Sequence, residues 1–472
     1  MEQFTLNMLK PGTHVHFVGI GGISMSGLAE ILQKNNICVS GSDIRESSIT
    51  KKLQQKGIKI YIGHSEKNVK NADIVIYTAA VKSNNPEIIK AKEMNLPIVE
   101  RASLLGEIMK EYKYPIAVAG THGKTTTTSM LSLILIHANF DPTVLVGGEL
   151  DTIGGNVRAG GHDYFITEAC EYVESFLKFH PYMGIILNVE ADHLDYFKDL
   201  NHIIQSFNKF VQLIPPDGYV IICGDDSNAL KTVHNCKCNV ITYGINGGNY
   251  HWKAKNISFN AYGFPRFDIF YLDQKIGTVQ LKVPGIHNVS NALAAAVATY
   301  TLGVSAADII NGLNIFKGAH RRFEVKGSYN NVIIIDDYAH HPTEIAATLA
   351  AAAKLNHKKI WCIFQPHTYS RTLALLDEFS HAFSDADKVI VTDIYAAREI
   401  DEGKIHSRDL VERINQHQLK AEYISKFEDI ASYIKTHAEP GDIVITMGAG
   451  NVYEIGEQIL LSKNEPIIKT GS

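Results

Sequence analysis

The sequence predicts an α/β protein of three consecutive domains. Three observations carry that reading. Short apolar runs alternate with helix-period stretches along almost the whole chain, which predicts parallel sheets covered by helices. The alternation restarts twice, near residues 114 and 316. At 472 residues the chain also exceeds what a single hydrophobic core accommodates.

In the first set, residues 14–20, 37–40, 59–62, 73–77 and 97–99 read as strands, with helical patterns at 25–33 and 86–93 between them. The second set opens with a strand at 116–119, a glycine loop and a helix from Lys124 to about His137. Strands at 164–167, 184–188, 219–223 and 240–243 continue it, and 257–283 reads as hairpins at the domain edge. "PGIHNVSNALAAAVATYTLG" is a loop followed by an Ala-rich helix that Gly303 caps. Strands at 332–335, 360–364, 388–391 and 443–447 make the third set, without repeats or low-complexity tracts.

Composition excludes several classes. Hydrophobic residues make up 45% and charged residues 20%, ordinary for a globular protein, and the net charge of −5 lacks the basic face that nucleic acid requires. No signal-peptide layout opens the chain, and no apolar run has the length of a membrane span, so membrane insertion is not expected. The six scattered cysteines point to a reducing, cytoplasmic setting. His234, Cys236 and Cys238 resemble a soft-metal clip, yet no second Cys/His pair stands at finger spacing, so they read as loop thiols.

Two glycine loops carry the chemistry. "HFVGIGGISMSGLAE" runs from a strand through Gly19, Ile20, Gly21 and Gly22 into a helix, with Ser24 where G-x-G-x-x-G has its third glycine. "VAGTHGKTTTTSM" is a shortened phosphate loop. Gly120 and Gly123 let backbone N–H groups face anionic oxygens, Lys124 supplies a charge, and the Thr125 hydroxyl suits Mg²⁺. Glu168 ends a strand beside that loop as a hard-oxygen ligand. "NVEADHLD" puts Asn188, Asp192, His193 and Asp195 just past another strand end, where α/β folds gather ligands.

Read together, GTHGKTTTT, EACEYVESFL, NVEADHLD, PGIHNVSNALAA, GAHRRFE, DDYAHHPTE, FQPHTYSRT and MGAGNVYEIG occur in the order found in the Mur ligases, which the chain resembles over essentially its whole length. The resemblance implies two Rossmann-like domains flanking a central P-loop ATPase domain, with limits 1–111, 112–318 and 319–472. It implies an ATP-driven amide bond between the lactyl carboxylate of UDP-N-acetylmuramate and L-alanine, through an acyl phosphate, in peptidoglycan synthesis. The cofactors implied are ATP and two Mg²⁺ ions, replaceable by Mn²⁺, in a monomer or homodimer.

The residue roles follow from the same resemblance. Gly120, Thr121, His122, Gly123, Lys124, Thr125 and Thr126 cradle the phosphates; Thr125 and Glu168 hold one metal and His193 a second. His287, Asn288 and Asn291 face adenine, Arg321 reaches the ATP from the last domain, and Asp336 faces it too. Gly19, Ile20, Gly21, Gly22, Ser24, Asp43, Arg101 and Asn188 take the UDP-sugar, while Tyr338, His340 and Arg371 take the amino acid. Lys124, Glu168, His193 and Arg321 are the catalytic set, and the flanking domains are expected to close on the central one.

The chain departs from the family pattern at three places. Ser24 stands where relatives usually have glycine, Thr368 where other members can have arginine, and the stretch Ser206-Phe207-Asn208-Lys209 predicts no carbamylated lysine. Two other functions compete. A ligase attaching an intact tripeptide shares the phosphate loop, but FQPHTYSRT and the stretch 393–399 favour alanine. An NAD-linked oxidoreductase would use Gly19 to Ser24 with Asp43 on a ribose hydroxyl.

Overall fold

Strand His14–Val18 (β1) is apolar on alternate positions and buried from its second residue, so it takes the centre of a sheet rather than an edge. Around it Cys38–Asp43 (β2), Lys59–Ile62 (β3), Ile74–Tyr77 (β4) and Ile98–Glu100 (β5) pair in parallel, in the order β3-β2-β1-β4-β5. The order reverses at β1, and the crevice at such a switch point is where open α/β sheets bind ligands. The opening glycine loop lies there, between β1 and the helix Ile23–Lys34.

The computed structural model describes residues 4–78, 80–260, 263–397, 399–417 and 419–461. These form two units. One takes in the described residues up to Val189 with Asn201–Tyr243 and Ala294–Gly312; the other takes Glu190–Leu200, Gly244–Leu293 and the described residues from Leu313 onward.

Besides the first sheet, the first unit contains strands Tyr114–Ala119 (β6), Thr143–Leu150 (β7), Gly155–Arg158 (β8), Tyr164–Ala169 (β9), Met183–Ile186 (β10), Tyr219–Cys223 (β11) and Asn239–Gly244 (β12). They run in the order β12-β11-β10-β6-β9-β7-β8, parallel except for the β7/β8 hairpin. The sequence reading missed β7 and β8 because Gly147 and Gly148 interrupt the apolar run that would announce β7. Gly27, on the helix after β1, lies so close to β7 that a Cβ there would overlap the Leu145 side chain.

In the second unit Trp252–Phe259 (β13), Pro265–Tyr271 (β14) and Gln274–Gln280 (β15) form the antiparallel meander read as hairpins. The last sheet is built from Glu324–Tyr329 (β16), Val332–Asp337 (β17), Ile360–Phe364 (β18), Lys388–Val391 (β19), Ala421–Tyr423 (β20) and Ile443–Met447 (β21). Its order is β16-β17-β21-β18-β19-β20, and only the β16/β17 pair is antiparallel. Both faces are covered, as the period of two requires. Ile335, Cys362, Phe364 and Ile445 enter one core, and Ile334, Trp361, Ile363 and Val444 enter the other. No helix among the described residues is long and apolar enough to cross a membrane.

Candidate active site

At the first loop Gly19 takes φ 84°, a left-handed conformation that glycine adopts without strain. The N–H groups of Gly19 and Ile20 both donate to Ser42 O, and Gly21 N–H donates to Asp43 Oδ2 at 2.9 Å. A Cβ on Gly21 would lie 2.7 Å from that carboxylate oxygen, so the loop and Asp43 require each other's shape. Ser24 has a partner as well: Arg101 Nη1 donates to its Oγ at 3.0 Å. Burial lowers the pKa of Arg101 from its usual value. Arg101 opens the helix Arg101–Met109, which reaches back to the start of the Ile23–Lys34 helix. Serine at position 24 thus anchors an arginine that a glycine could not hold.

The phosphate loop follows β6. Gly120 takes φ 141°, and a Cβ there would lie 2.9 Å from Leu187 Cβ and 3.2 Å from Asn188 N. Gly123, at φ 82°, begins the helix Lys124–His137. Asn188, expected at the sugar nucleotide, engages this loop. Its Oδ1 accepts from His122 N–H at 2.7 Å, its Nδ2 donates to His122 O at 3.1 Å, and its carbonyl accepts from Thr121 N–H. Thr126 lies on the first turn of the helix that follows.

Lys124 Nζ donates to Gly120 O at 2.5 Å, to Thr121 O at 3.1 Å and to Glu171 at 3.1 Å. Burial pulls its pKa down, but the charge of Glu171 outweighs that and leaves the pKa raised, so the ammonium stays charged. Glu171 is itself buried. The sequence reading did not select it, although it stands three residues after Glu168 in the same strand-end stretch.

Glu168 sits at the end of β9, and its Oε1 accepts from Gly147 N–H at 2.6 Å. A Cβ on Gly147 would lie 2.7 Å from a Glu168 oxygen, and one on Gly148 would lie 3.1 Å from Thr125 Cγ2. Two successive glycines of β7 therefore clear the space beside both hard-oxygen residues. That cradle and that donor set fit a hydrated Mg²⁺ ion. Paired glycines inside a strand were the signal that would have found it.

In the second unit His287 lies exposed on the first turn of the helix Ile286–Thr301. Gly285 makes room for it, since a Cβ there would come within 2.5 Å of the ring. Asn288 Nδ2 donates to Pro284 O, and Asn291 Nδ2 donates to Asn288 Oδ1.

Arg321, expected to reach the ATP, is engaged on every guanidinium nitrogen. Nε donates to Asp336 at 3.0 Å, Nη1 to Gly450 O and Nη2 to Gly448 O, with Tyr338 and Tyr453 on its faces. Asp336 also accepts from Thr446 Oγ1 at 2.7 Å, and burial raises its pKa. Arg322 lies over the Tyr338 ring too. His340 Nδ1 lies 2.9 Å from Tyr338 O; a carbonyl only accepts, so the ring carries its proton on Nδ1. Burial lowers its pKa to about 4. His341 caps the helix Pro342–Ala352.

A cleft is lined by Asp192, His193, His367, Thr368, Arg371 and Glu399, among others. Arg371 donates through Nε and Nη2 to Asp192, both at 3.0 Å. Burial would raise the pKa of Asp192, but His193, Arg371, His340 and His341 overcome that and lower it. His193 takes φ 54° and Thr368 takes φ 67°, strained for residues with side chains; such strain persists where surrounding structure holds it. At Thr368 the holders are Tyr395 O, which accepts its N–H, and the Thr372 hydroxyl, which donates to its carbonyl. Glu399 accepts from the Ser370 N–H at 3.0 Å and from the Ser370 hydroxyl. Arg398, in the stretch that favoured alanine, lies outside the described residues. Glu171, Asp337 and His367 are side chains at these sites that were not singled out from the sequence, while Asp192 was named among the strand-end residues without a role of its own.

Comparison with known proteins accounts for all three parts. Residues 14–113 match the family model "Mur ligase family, catalytic domain", 118–299 match "Mur ligase middle domain", and 321–450 match "Mur ligase, glutamate ligase domain". The chain is 59% identical over 465 residues to a UDP-N-acetylmuramate–L-alanine ligase of Acetivibrio thermocellus, covering 98% of this chain and 99% of that one. It is 55% identical to the Clostridium botulinum (strain Loch Maree) protein of the same name, over 95% and 97% of the two chains. Among solved structures, the UDP-N-acetylmuramate–alanine ligase of Thermotoga maritima superposes with a TM-score of 0.82 at 31% identity, over 95% of this chain and 98% of that one. A murein peptide ligase of Psychrobacter arcticus gives 0.74 at 28%, over 97% and 100%. Matched along its length by three consecutive family models and by full-length relatives, the chain belongs to the Mur ligase family.

Proposed function

We propose that this chain uses ATP to join L-alanine to the lactyl carboxylate of UDP-N-acetylmuramate, forming an amide through an acyl phosphate in peptidoglycan synthesis. The observation that carries it is the full-length 59% identity to a ligase named for that reaction, together with an intact phosphate loop holding a partly buried, charged lysine. The tripeptide ligase is the weaker reading, since the murein peptide ligase resembles this chain at 28% identity.

Residues 1–111, 112–318 and 319–472 would hold the sugar nucleotide, the ATP and the amino acid respectively. The carboxylate attacks the γ-phosphorus and ADP leaves; the alanine amine then attacks the acyl carbon and phosphate leaves. Both steps gather negative charge, so cationic and N–H donors fixed in advance lower the barrier. Lys124 supplies one such charge, and the helix N-terminus at Gly123 supplies oriented N–H groups. Thr125 and Glu168 would hold Mg²⁺ beside Gly147 and Gly148, and His193 would hold a second ion. Bound there, the metal neutralises phosphate oxygens and orients them. Asp43, Arg101 and Ser24 would take the sugar nucleotide, while Tyr338, His340 and Arg371 would take alanine, its carboxylate on the guanidinium.

The test is ADP release by the purified protein with UDP-N-acetylmuramate and either L-alanine or the tripeptide. Turnover with alanine is expected, and Lys124→Met should lower kcat/KM by about 10²–10³-fold. Turnover with the tripeptide but not alanine would overturn the reading. So would tight nicotinamide-cofactor binding without affinity for the UDP-sugar.

A further inference from the structure

Arg371 does not choose its own orientation. One oxygen of Asp192, Oδ1, accepts from Arg371 Nε and Nη2 at 3.0 Å each and from the backbone N–H of His193 at 2.7 Å. The remaining guanidinium nitrogen, Nη1, lies 3.1 Å from His367 Nδ1. Arginine has only donors, so that imidazole nitrogen accepts and the ring is not protonated there. The Arg371 and Asp192 side chains are 9% and 7% exposed.

A buried pair of this kind adds little net stability, because removing both charges from water offsets their attraction. What it does supply is geometry. Two donors on one oxygen hold an edge of the guanidinium, a third contact holds the opposite nitrogen, and the plane cannot rotate. Recognition of a carboxylate by arginine depends on that plane, because two parallel N–H bonds must arrive together. Of the two further carboxylates lining the cleft, Asp195 and Glu399, the second is engaged with Ser370.

We propose that Asp192 is a positioning residue for amino-acid capture: it fixes the Arg371 guanidinium so that its outward N–H groups meet the carboxylate of the incoming amino acid. The proposal rests on the alanine-ligase reading above. Asp192 acts through Arg371 and does not itself touch the substrate. Its second link, to the His193 backbone, ties the loop carrying that histidine to the helix Tyr369–Ala374. Amino-acid capture and the His193 loop then share one anchor.

The experiment is steady-state kinetics on full-length wild type, Asp192→Ala and Asp192→Asn, with L-alanine and with L-alaninamide, which lacks the carboxylate. Asp192→Ala should raise KM for alanine by about 10- to 100-fold, leave KM for ATP and UDP-N-acetylmuramate unchanged, and erase the preference for alanine over alaninamide. Asp192→Asn keeps the oxygen acceptor and should recover most of the loss while melting at the wild-type temperature. If Asp192→Ala fails to fold, Asp192→Ser, too short to reach both guanidinium nitrogens, replaces it, and the outcomes that follow are those of the shortened side chain. Equal losses with both amines, a raised KM for ATP, or an unchanged KM for alanine would each overturn the proposal. A wild type that is inert towards alanine would overturn the ligase reading and the proposal together. An active wild type with an unselective loss overturns the proposal alone.

Discussion

Asp337 shows what burying a carboxylate does here. Its two oxygens accept from Phe323 and Ala339 N–H, both at 2.7 Å, yet burial still raises its pKa from 3.8 to about 6. The folded protein therefore keeps a proton that the unfolded chain has already lost. The contribution of this group is fully present below pH 3.8 and is lost as the pH rises through about 6. A gap of about 2 in pKa corresponds to roughly 3 kcal/mol. The amide in an Asp337→Asn variant cannot titrate, so the stability of wild type relative to that variant should fall by about that much between pH 4 and pH 7. Thermal melts of both proteins across that range measure it, and a difference that does not change with pH would contradict the assignment. The neighbouring Asp336 shares the burial but has Arg321 at 3.0 Å, so the two adjacent aspartates sit in different electrostatic settings.

At the scale of elements, close approach explains several glycines better than flexibility does. Gly106 lies in the helix Arg101–Met109, where alanine would ordinarily be favoured by about 1 kcal/mol. A Cβ there would overlap the Lys178 carbonyl oxygen, a backbone atom that cannot step aside. Overlap of that kind typically costs about 1–3 kcal/mol or more, so it should outweigh the propensity gain. Gly106→Ala is expected to lower the melting temperature and weaken UDP-sugar binding through Arg101, which opens the same helix; a stabilised variant would refute this.

The same scale shows what the sequence made legible. Apolar runs at 219–223, 360–364 and 443–447 coincide with β11, β18 and β21, because buried parallel strands need an uninterrupted hydrophobic stretch. β16 escaped because Glu324–Tyr329 pairs on only one side and reads as polar. The ligand motifs were legible as motifs, but their partners were not. Nothing local in the sequence says that Asp192 meets Arg371 or that Asn188 meets His122, since those pairings are made by topology.

For the whole molecule, the proposed reaction needs the sugar nucleotide, the ATP and the amino acid together, although their motifs lie on three successive stretches of chain. Water must also be kept from an acyl phosphate. Small-angle scattering should therefore show a smaller radius of gyration with an ATP analogue plus UDP-N-acetylmuramate than without them. An unchanged radius would contradict closure. One feature bears on how such binding is driven. Asn188 holds the main chain of His122 from both sides through contacts that the fold itself makes. Ordering a backbone residue takes roughly 1–2 kcal/mol of entropy, and at this turn that loss is borne when the protein folds. A nucleotide docking as proposed would meet a loop with little disorder left to surrender, and its binding energy would remain for the reaction.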